Sequence, residues 1–211
     1  MSDNFIEAPA EPAENHYQLI AAIILGIAAT LTAVSSYMAA VVDGDAQAGR
    51  ADSARSLSDA NFFYSQANQT AAADQQLFVS YATAAQAEDA ELADYLQTLM
   101  RPEMAEALQW WSSTDDAATP FDEVEGNPYT LSDLEAAQEL EQQSLTQVQD
   151  AEDADAKGDK YDLSTVLLAL TLFFAGIATL FASPKVTVGL LAVGGVSLLL
   201  GSAVLVQGLT L

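Results

Sequence analysis

The segments LSTVLLALTLFFAGIATLFAS, at residues 163–183, and VTVGLLAVGGVSLLLGSAVLVQGLTL, at residues 186–211, decide the fold that we expect of this chain. A third apolar run, at residues 19–42, lies near the start. None of the three contains an acidic or basic side chain, and each can cross a hydrocarbon core, which requires about 20 apolar residues. We therefore predict an all-α membrane protein with three transmembrane helices, at residues 17–42, 162–183 and 185–211.

Acidic side chains dominate the region between the first two apolar runs, residues 43–161. The chain has 30 Asp and Glu against 6 Lys and Arg, a net charge of -24, and nearly all of its acids lie in this region. We predict an aqueous domain here. Its charge repels phosphates, so we expect no nucleic-acid partner. So large an acidic excess is typical of adaptation to high salt, which screens the repulsion between the acidic side chains. We therefore expect the protein to come from a halophilic archaeon or bacterium.

A seven-residue repeat of apolar side chains runs through the first half of the acidic domain. Asp74 and Glu88 interrupt it, which favours a hairpin or short bundle over a rigid rod. The repeat predicts a coiled-coil seam, formed by Leu57, Tyr64, Ala71, Phe78, Ala85, Leu92 and Leu99, with Ala60, Ala67, Tyr81 and Tyr95 three residues further on.

Proline and cap signals divide the rest of the acidic domain. Pro102 should end one helix and begin a short second one that reaches Trp111. Residues 112–129 contain two prolines and a glycine and predict a loop. A further helix should begin near Thr130 or Ser132. Together these elements predict an antiparallel helical hairpin, preceded in the chain by a disordered acidic tail at residues 1–16.

Small residues recur on one face of each predicted span. Such faces let helix backbones approach closely in lipid, so we predict a three-helix membrane bundle that can also pack against copies of itself or another membrane protein. Ala and Gly are common in membrane spans in any case, which is the simpler explanation. The helix-packing candidates are Gly26, Gly176, Gly194, Gly201 and Gly208.

The sequence offers little for catalysis. It has no cysteine and a single histidine, His16, beside the first span, so thiol chemistry and a histidine triad in the acidic domain are excluded. The carboxylate pairs Asp115–Asp116 and Asp122–Glu123 could bind a divalent cation, but acid pairs are expected in so acidic a chain. We predict no enzyme activity, no cofactor and no metal site.

The adjacent tryptophans Trp110 and Trp111 are candidate interaction residues. Their rings point about 100° apart on a helix, so at most one is expected to be fully buried. We expect one ring to cap the core of the hairpin. The alternatives are that a ring contacts a partner or rests on the membrane surface.

Four short segments stand out along the chain: AVSS at 33–36, FFYSQA at 62–67, GDKY at 158–161 and VLLALTLFFAGIA at 166–178. In these segments, and in the order of its apolar and polar parts, the chain resembles a family of small three-pass prokaryotic membrane proteins known as a domain of unknown function. The resemblance implies the architecture predicted above, with the aqueous domain outside the cytoplasm. It implies no activity.

The positive charges near the span ends bear on orientation. Arg50, Arg55, Lys157 and Lys160 flank the aqueous domain, whereas Lys185 lies between the last two spans. The positive-inside rule therefore favours a cytoplasmic domain, and the resemblance implies the opposite. We expect a multi-pass protein of the plasma membrane with the domain on the extracytoplasmic side, and the cytoplasmic orientation is the alternative.

These observations favour a membrane-anchored helical interaction or scaffold protein, either self-associating or an accessory subunit of a membrane complex. Its expected partners are the lipid bilayer and either copies of itself or another membrane protein. The first alternative is an oligomeric channel or transport component with a pore between copies. The second is a membrane enzyme that uses the carboxylates of the loop, with or without a metal ion.

Overall fold

The protein is all-helical in this computed structural model, which describes residues 16–114, 117–181 and 183–210. The acidic tail predicted at residues 1–16 lies outside the described residues, apart from His16. No strand occurs in the part of the chain that the structure describes. The five helices are α1 (His16–Gln86), α2 (Ala90–Thr98), α3 (Pro102–Trp111), α4 (Ser132–Ala178) and α5 (Pro184–Thr210).

Three of these helices, α1, α4 and α5, contain stretches long and apolar enough to cross a membrane, by length and composition. The chain divides into two compact units. Unit 1 comprises Met1–Gly49 and Gln149–Leu211, and unit 2 comprises Arg50–Val148. Helices α1 and α4 contribute residues to both units, α5 belongs to unit 1, and α2 and α3 belong to unit 2.

Two predicted helix starts are confirmed. Helix α3 begins at Pro102, whose fixed φ and missing N–H suit the first helical turn. Helix α4 begins at Ser132 and continues without a break through Gly158. Residues 112–114 and 117–129, in the predicted loop, are not helical.

The predicted seam is wrong beyond Gln86, where α1 ends. Glu88 adopts a left-handed backbone conformation, with φ of 60°, which terminates the helix. Asp89 then caps α2, because its Oδ1 accepts a hydrogen bond of 3.1 Å from the backbone N–H of Leu92. Leu92 therefore lies in a separate helix and Leu99 directly follows that helix, and the two are 45% and 54% exposed.

The first position of the seam within α1 is buried only in part, with Phe78 packed against a buried cluster. Leu57 is 46% exposed, whereas the second position, with Ala60 and Ala67, is buried. Along the second position, buried small or polar side chains recur every seven residues at Ser53, Ala60, Ala67 and Asp74. The buried side chains of this repeat are therefore small or polar, and the large side chains of the first position, Leu57, Tyr64 and Phe78, are exposed or half-buried.

Small side chains bring α1 and α4 together in unit 2. The hydroxyl oxygens of Ser53 and Ser144 lie 2.9 Å apart, and Ser144 also donates to the Ser53 carbonyl at 3.1 Å. At the edge of this contact, Tyr64 donates from its hydroxyl to Glu141 Oε2 at 2.6 Å. That bond to a carboxylate, followed by burial and the charge of Glu141, raises the pKa of Tyr64.

Unit 1 is built on equally small contacts. One buried cluster joins Ala21 of α1, Ala175 and Ala178 of α4 and Leu191 of α5. A second cluster is formed by Ala39, Tyr161 and Leu205, one residue from each of the three helices. Because most of these side chains end at Cβ, the three backbones lie close together.

Candidate functional site

A cluster of large side chains, which we call the head cluster, fills unit 2 where α1, α3 and the following loop meet. Its buried members are Met100, Met104 and Leu108. Phe78 packs edge-to-face on Trp111 and on Phe121, with ring centroids 5.5 Å apart in both pairs. Such pairs add stability beyond that of burial alone. The partly buried members are Leu77, Phe78, Tyr81, Trp111, Phe121 and Tyr129.

An ion pair lies against the head cluster. Arg101 donates from Nε to Asp74 Oδ2 at 2.6 Å, and the side chains are 22% and 8% exposed. Tyr129 donates from its hydroxyl to the same carboxylate oxygen at 3.0 Å, and its ring lies under the Arg101 guanidinium, 4.9 Å from Cζ to the centroid. Arg101 Nη1 also contacts Glu103 Oε2 at 3.0 Å.

The surroundings of Arg101 favour its charged form. Burial lowers the pKa of Arg101, but hydrogen bonding and charge interactions with Asp74 and Tyr129 outweigh burial and raise it overall. Burial is the main cause that raises the pKa of Tyr129. The guanidinium is incompletely satisfied, since Arg101 Nη2 is buried and has no hydrogen-bond partner among the described residues.

The predicted seam interruption at Asp74 is therefore half of an ion pair. Sequence reasoning missed it, although a signal was present. Arg101 is the only basic residue between Arg55 and Lys157. A lone arginine in such an acidic stretch, directly before the proline that starts a helix, is a good candidate for a buried or partly buried pair with a carboxylate.

The loop between α3 and α4 is held by its own hydrogen bonds. Asp122 Oδ2 accepts from the backbone N–H groups of Ala118 and Thr119 at 2.7 and 3.1 Å, and its Oδ1 accepts from the Thr119 hydroxyl at 2.6 Å. These bonds, led by that of the hydroxyl, lower the pKa of Asp122. Asn127 donates from Nδ2 to the carbonyls of Pro120 and Asp122.

Beside this loop lies a pocket of about 370 Å³ in unit 2, which we call the loop pocket. Its walls come from α1, the loop and the first turns of α4. It has three carboxylates and no basic side chain. The lining residues are Ala71, Gln75, Phe121, Asp122, Glu123, Val124, Asn127, Tyr129, Thr130, Leu131, Leu134, Glu135 and Gln138.

The two tryptophans have different surroundings. Trp111 packs in the head cluster, and its Nε1–H donates to the Ala117 carbonyl at 3.0 Å. The predicted core-capping ring is therefore Trp111. Trp110 lies outside that cluster and lines a shallow surface depression with Glu106. A Cβ at Gly126, whose φ is +88°, would lie 3.9 Å from Trp110 Nε1.

Three of the five candidate glycines lie at the contact of α5 with α4. A Cβ at Gly208 would lie 2.8 Å from Cε1 of Tyr161, and one at Gly201 would lie 3.0 Å from Cγ of Leu168. At Gly194 the nearest atoms, including the Ala175 backbone nitrogen, would be 3.6 Å away. Gly208 and Gly201 therefore permit an approach that any side chain would obstruct.

The other two candidates, Gly26 and Gly176, have no atom within 4 Å of a Cβ built on them among the described residues. Gly26 is exposed, and the residues of α1 that contact α4 or α5 include Ala21 and Ala39. A role of Gly26 and Gly176 in packing between copies stays a prediction.

Hydroxyl groups reinforce these contacts in unit 1. Ser35 of α1 donates to the Tyr161 carbonyl of α4 at 2.8 Å, and Ser164 of α4 donates to the Gly201 carbonyl of α5 at 2.9 Å. Both serines are fully buried. Each bond joins two helices through a carbonyl that already belongs to a helical ladder, so neither helix loses a backbone bond.

Asp115 and Asp116, the first acid pair proposed as cation ligands, lie outside the described residues. In the second pair, the Asp122 carboxylate accepts three hydrogen bonds within the loop. Among the residues that the structure describes, no group of three or more acidic or histidine side chains could hold a metal ion.

No protein-family model, curated protein or solved structure matches this chain. The function is therefore inferred from the sequence and from the geometry of the two units.

Proposed function

We propose that the protein is a membrane-anchored helical interaction module. One observation carries this proposal. All three helices of unit 1 expose large apolar side chains, including Ile23 at 54%, Phe173 at 58% and Leu199 at 73%. Exposed apolar surface of this extent is unfavourable in water and is expected where lipid or another membrane protein covers it.

Unit 2 is proposed as the aqueous part of the molecule, an acidic hairpin formed by its segments of α1 and α4. Its charged residues are mostly exposed, as expected of a domain folded in water. It also exposes apolar side chains that can receive a partner. They include Leu57, Phe62, Val79, Leu92, Tyr95, Leu99 and Leu145.

The first test is the composition of the native particle. The chain is purified from its own membranes in high salt and mild detergent, and the intact particle is weighed by mass spectrometry. We expect either several copies of the chain or a second membrane protein in fixed ratio. A particle containing one copy and no partner would contradict the interaction role, and recovery from the soluble fraction would contradict the membrane anchor.

The orientation is proposed to place unit 2 outside the cytoplasm, and the absence of cysteine makes it directly testable. Single-cysteine variants Leu145→Cys and Ser183→Cys are treated on intact cells with a membrane-impermeant maleimide. We expect labelling of the first variant and, until the cells are permeabilised, none of the second. The reverse pattern would establish a cytoplasmic unit 2 and leave the interaction role untouched.

A further inference from the structure

The loop pocket combines three features that together specify a class of ligand. Its volume of about 370 Å³ lies within the range of small-molecule sites, about 300–1,000 Å³. It is negatively charged, with Asp122, Glu123 and Glu135 in its walls and no basic side chain. It also has apolar and aromatic walls, which a site for a bare metal ion does not need.

We propose that the loop pocket binds a small organic cation of the alkylammonium class. The carboxylates attract the positive charge, and Val124, Leu131 and Leu134 offer apolar contact to the alkyl groups. The rings of Phe121 and Tyr129 also line the pocket, and the face of an aromatic ring attracts a weakly hydrated cation. An alkylammonium ion satisfies both kinds of wall, whereas a neutral ligand leaves the charge unmatched and an anion is repelled.

The pocket is held in place before any ligand arrives. Asp122 is fixed by three hydrogen bonds from Ala118 and Thr119. Those bonds keep its carboxylate ionised, since they lower its pKa. Asn127 ties the loop to two carbonyls, and Phe121 and Tyr129 pack edge-to-face with centroids 5.0 Å apart. A rigid pocket loses little entropy on binding.

Arg101 does not compete for the site. It lies over the Tyr129 ring, but it is not among the residues that line the pocket, and its charge is paired with Asp74. The charge that a ligand meets inside the pocket is therefore that of the three carboxylates.

The test uses the full chain in mild detergent, at 1 M NaCl, where diffuse attraction of cations to the acidic surface is screened. Choline is titrated calorimetrically, and its uncharged isostere 3,3-dimethylbutan-1-ol is titrated in parallel. We expect saturable binding of choline in 1:1 ratio and affinity for the alcohol weaker by about tenfold or more. Equal binding of the two compounds, or no saturable binding of choline, would overturn the proposal.

Matched variants separate the pocket from the general acidity of the surface. The double variant Glu123→Gln, Glu135→Gln removes two charges from the pocket, and Asp59→Asn, Glu152→Gln removes two exposed charges elsewhere. We expect the first pair to weaken choline binding by about tenfold and the second to change it by less than about twofold. Equal losses in the two double variants would mean that choline is only a counter-ion.

Discussion

The contact of α5 with α4 in unit 1 is packed through glycines, whereas the head cluster in unit 2 is packed through large side chains. In the first, Gly201 and Gly208 remove side chains so that backbones meet Leu168 and the Tyr161 ring. In the second, large rings and three buried methionine and leucine side chains fill the space between elements.

The difference follows from the solvent proposed for each unit. In water, burying a large ring is favourable because apolar surface leaves solvent. In lipid that gain vanishes, and helices associate through close packing and interhelical hydrogen bonds, such as that of Ser164 with the Gly201 carbonyl. The head cluster should therefore respond most to loss of charge pairing and ring area, and the α4–α5 contact to added volume.

The largest expected effect is that of Asp74→Ala. It leaves Arg101 with its main partner removed in a mostly buried position, and breaking such a pair costs about 4 kcal/mol. Urea unfolding of the full chain in mild detergent, followed by tryptophan fluorescence, reports on unit 2 because both tryptophans belong to it. The control is Asp59→Ala, an exposed acid of the same helix, which should change stability little. Equal losses of stability in the two variants would mean that the ion pair does not stabilise unit 2.

Next in size is the contrast between Trp111→Ala and Trp110→Ala. The first removes a ring of the head cluster together with its bond to the Ala117 carbonyl, and we expect a loss of about 3 kcal/mol. The second removes a ring outside that cluster and should cost clearly less. The same unfolding experiment applies, read from the remaining tryptophan. A larger loss for Trp110 would reverse the assignment of the core-capping ring.

Added volume at the α4–α5 contact is expected to cost about 2 kcal/mol. In Gly208→Ala the new methyl group would lie 2.8 Å from the Tyr161 ring, which is 2% exposed and cannot move aside easily. In Gly195→Ala nothing lies within 4 Å, so the change should be neutral or slightly stabilising. Thermal unfolding in detergent, followed by circular dichroism, compares the two. Similar values for both variants would show that the close approach is not required.

The smallest effect is expected of Ser164→Ala, which removes the bond to the Gly201 carbonyl but leaves a small side chain. Interhelical hydrogen bonds in membrane proteins contribute about 0.6 kcal/mol. Ser36→Ala, at an exposed position of α1, is the control. A loss above about 2 kcal/mol would mean that polar bonds, and not close packing, dominate unit 1.

The sequence predicted the elements with strong local signals. Apolar runs gave the three long helices, Pro102 gave the start of α3, and Ser132 gave the start of α4. Each depends on the residues within one or two turns of the chain. The loop after α3 was predictable for the same reason, through its prolines and Gly126.

What the sequence did not reveal depends on contacts between distant residues. The break after α1 comes from the left-handed backbone conformation of Glu88. A glycine at this position would have indicated the break, but glutamate does not. The pairing of Asp74 with Arg101 joins residues from α1 and from the start of α3. In α1, where small residues occur on several faces, composition alone could not tell that Ala21 faces α4 and α5 while Gly26 does not.

The placement of unit 1 in lipid and unit 2 in water is tested most directly by water access in liposomes. Single-cysteine variants are made at two exposed apolar positions, Val193 of α5 at 46% and Leu145 of α4 at 58%. The protein is reconstituted and treated with a water-soluble maleimide, and labelling is compared before and after the liposomes are dissolved in denaturant. We predict that Leu145→Cys reacts before denaturation in the liposomes that expose unit 2, whereas Val193→Cys reacts only after it. Equal labelling of both variants in intact liposomes would contradict the account.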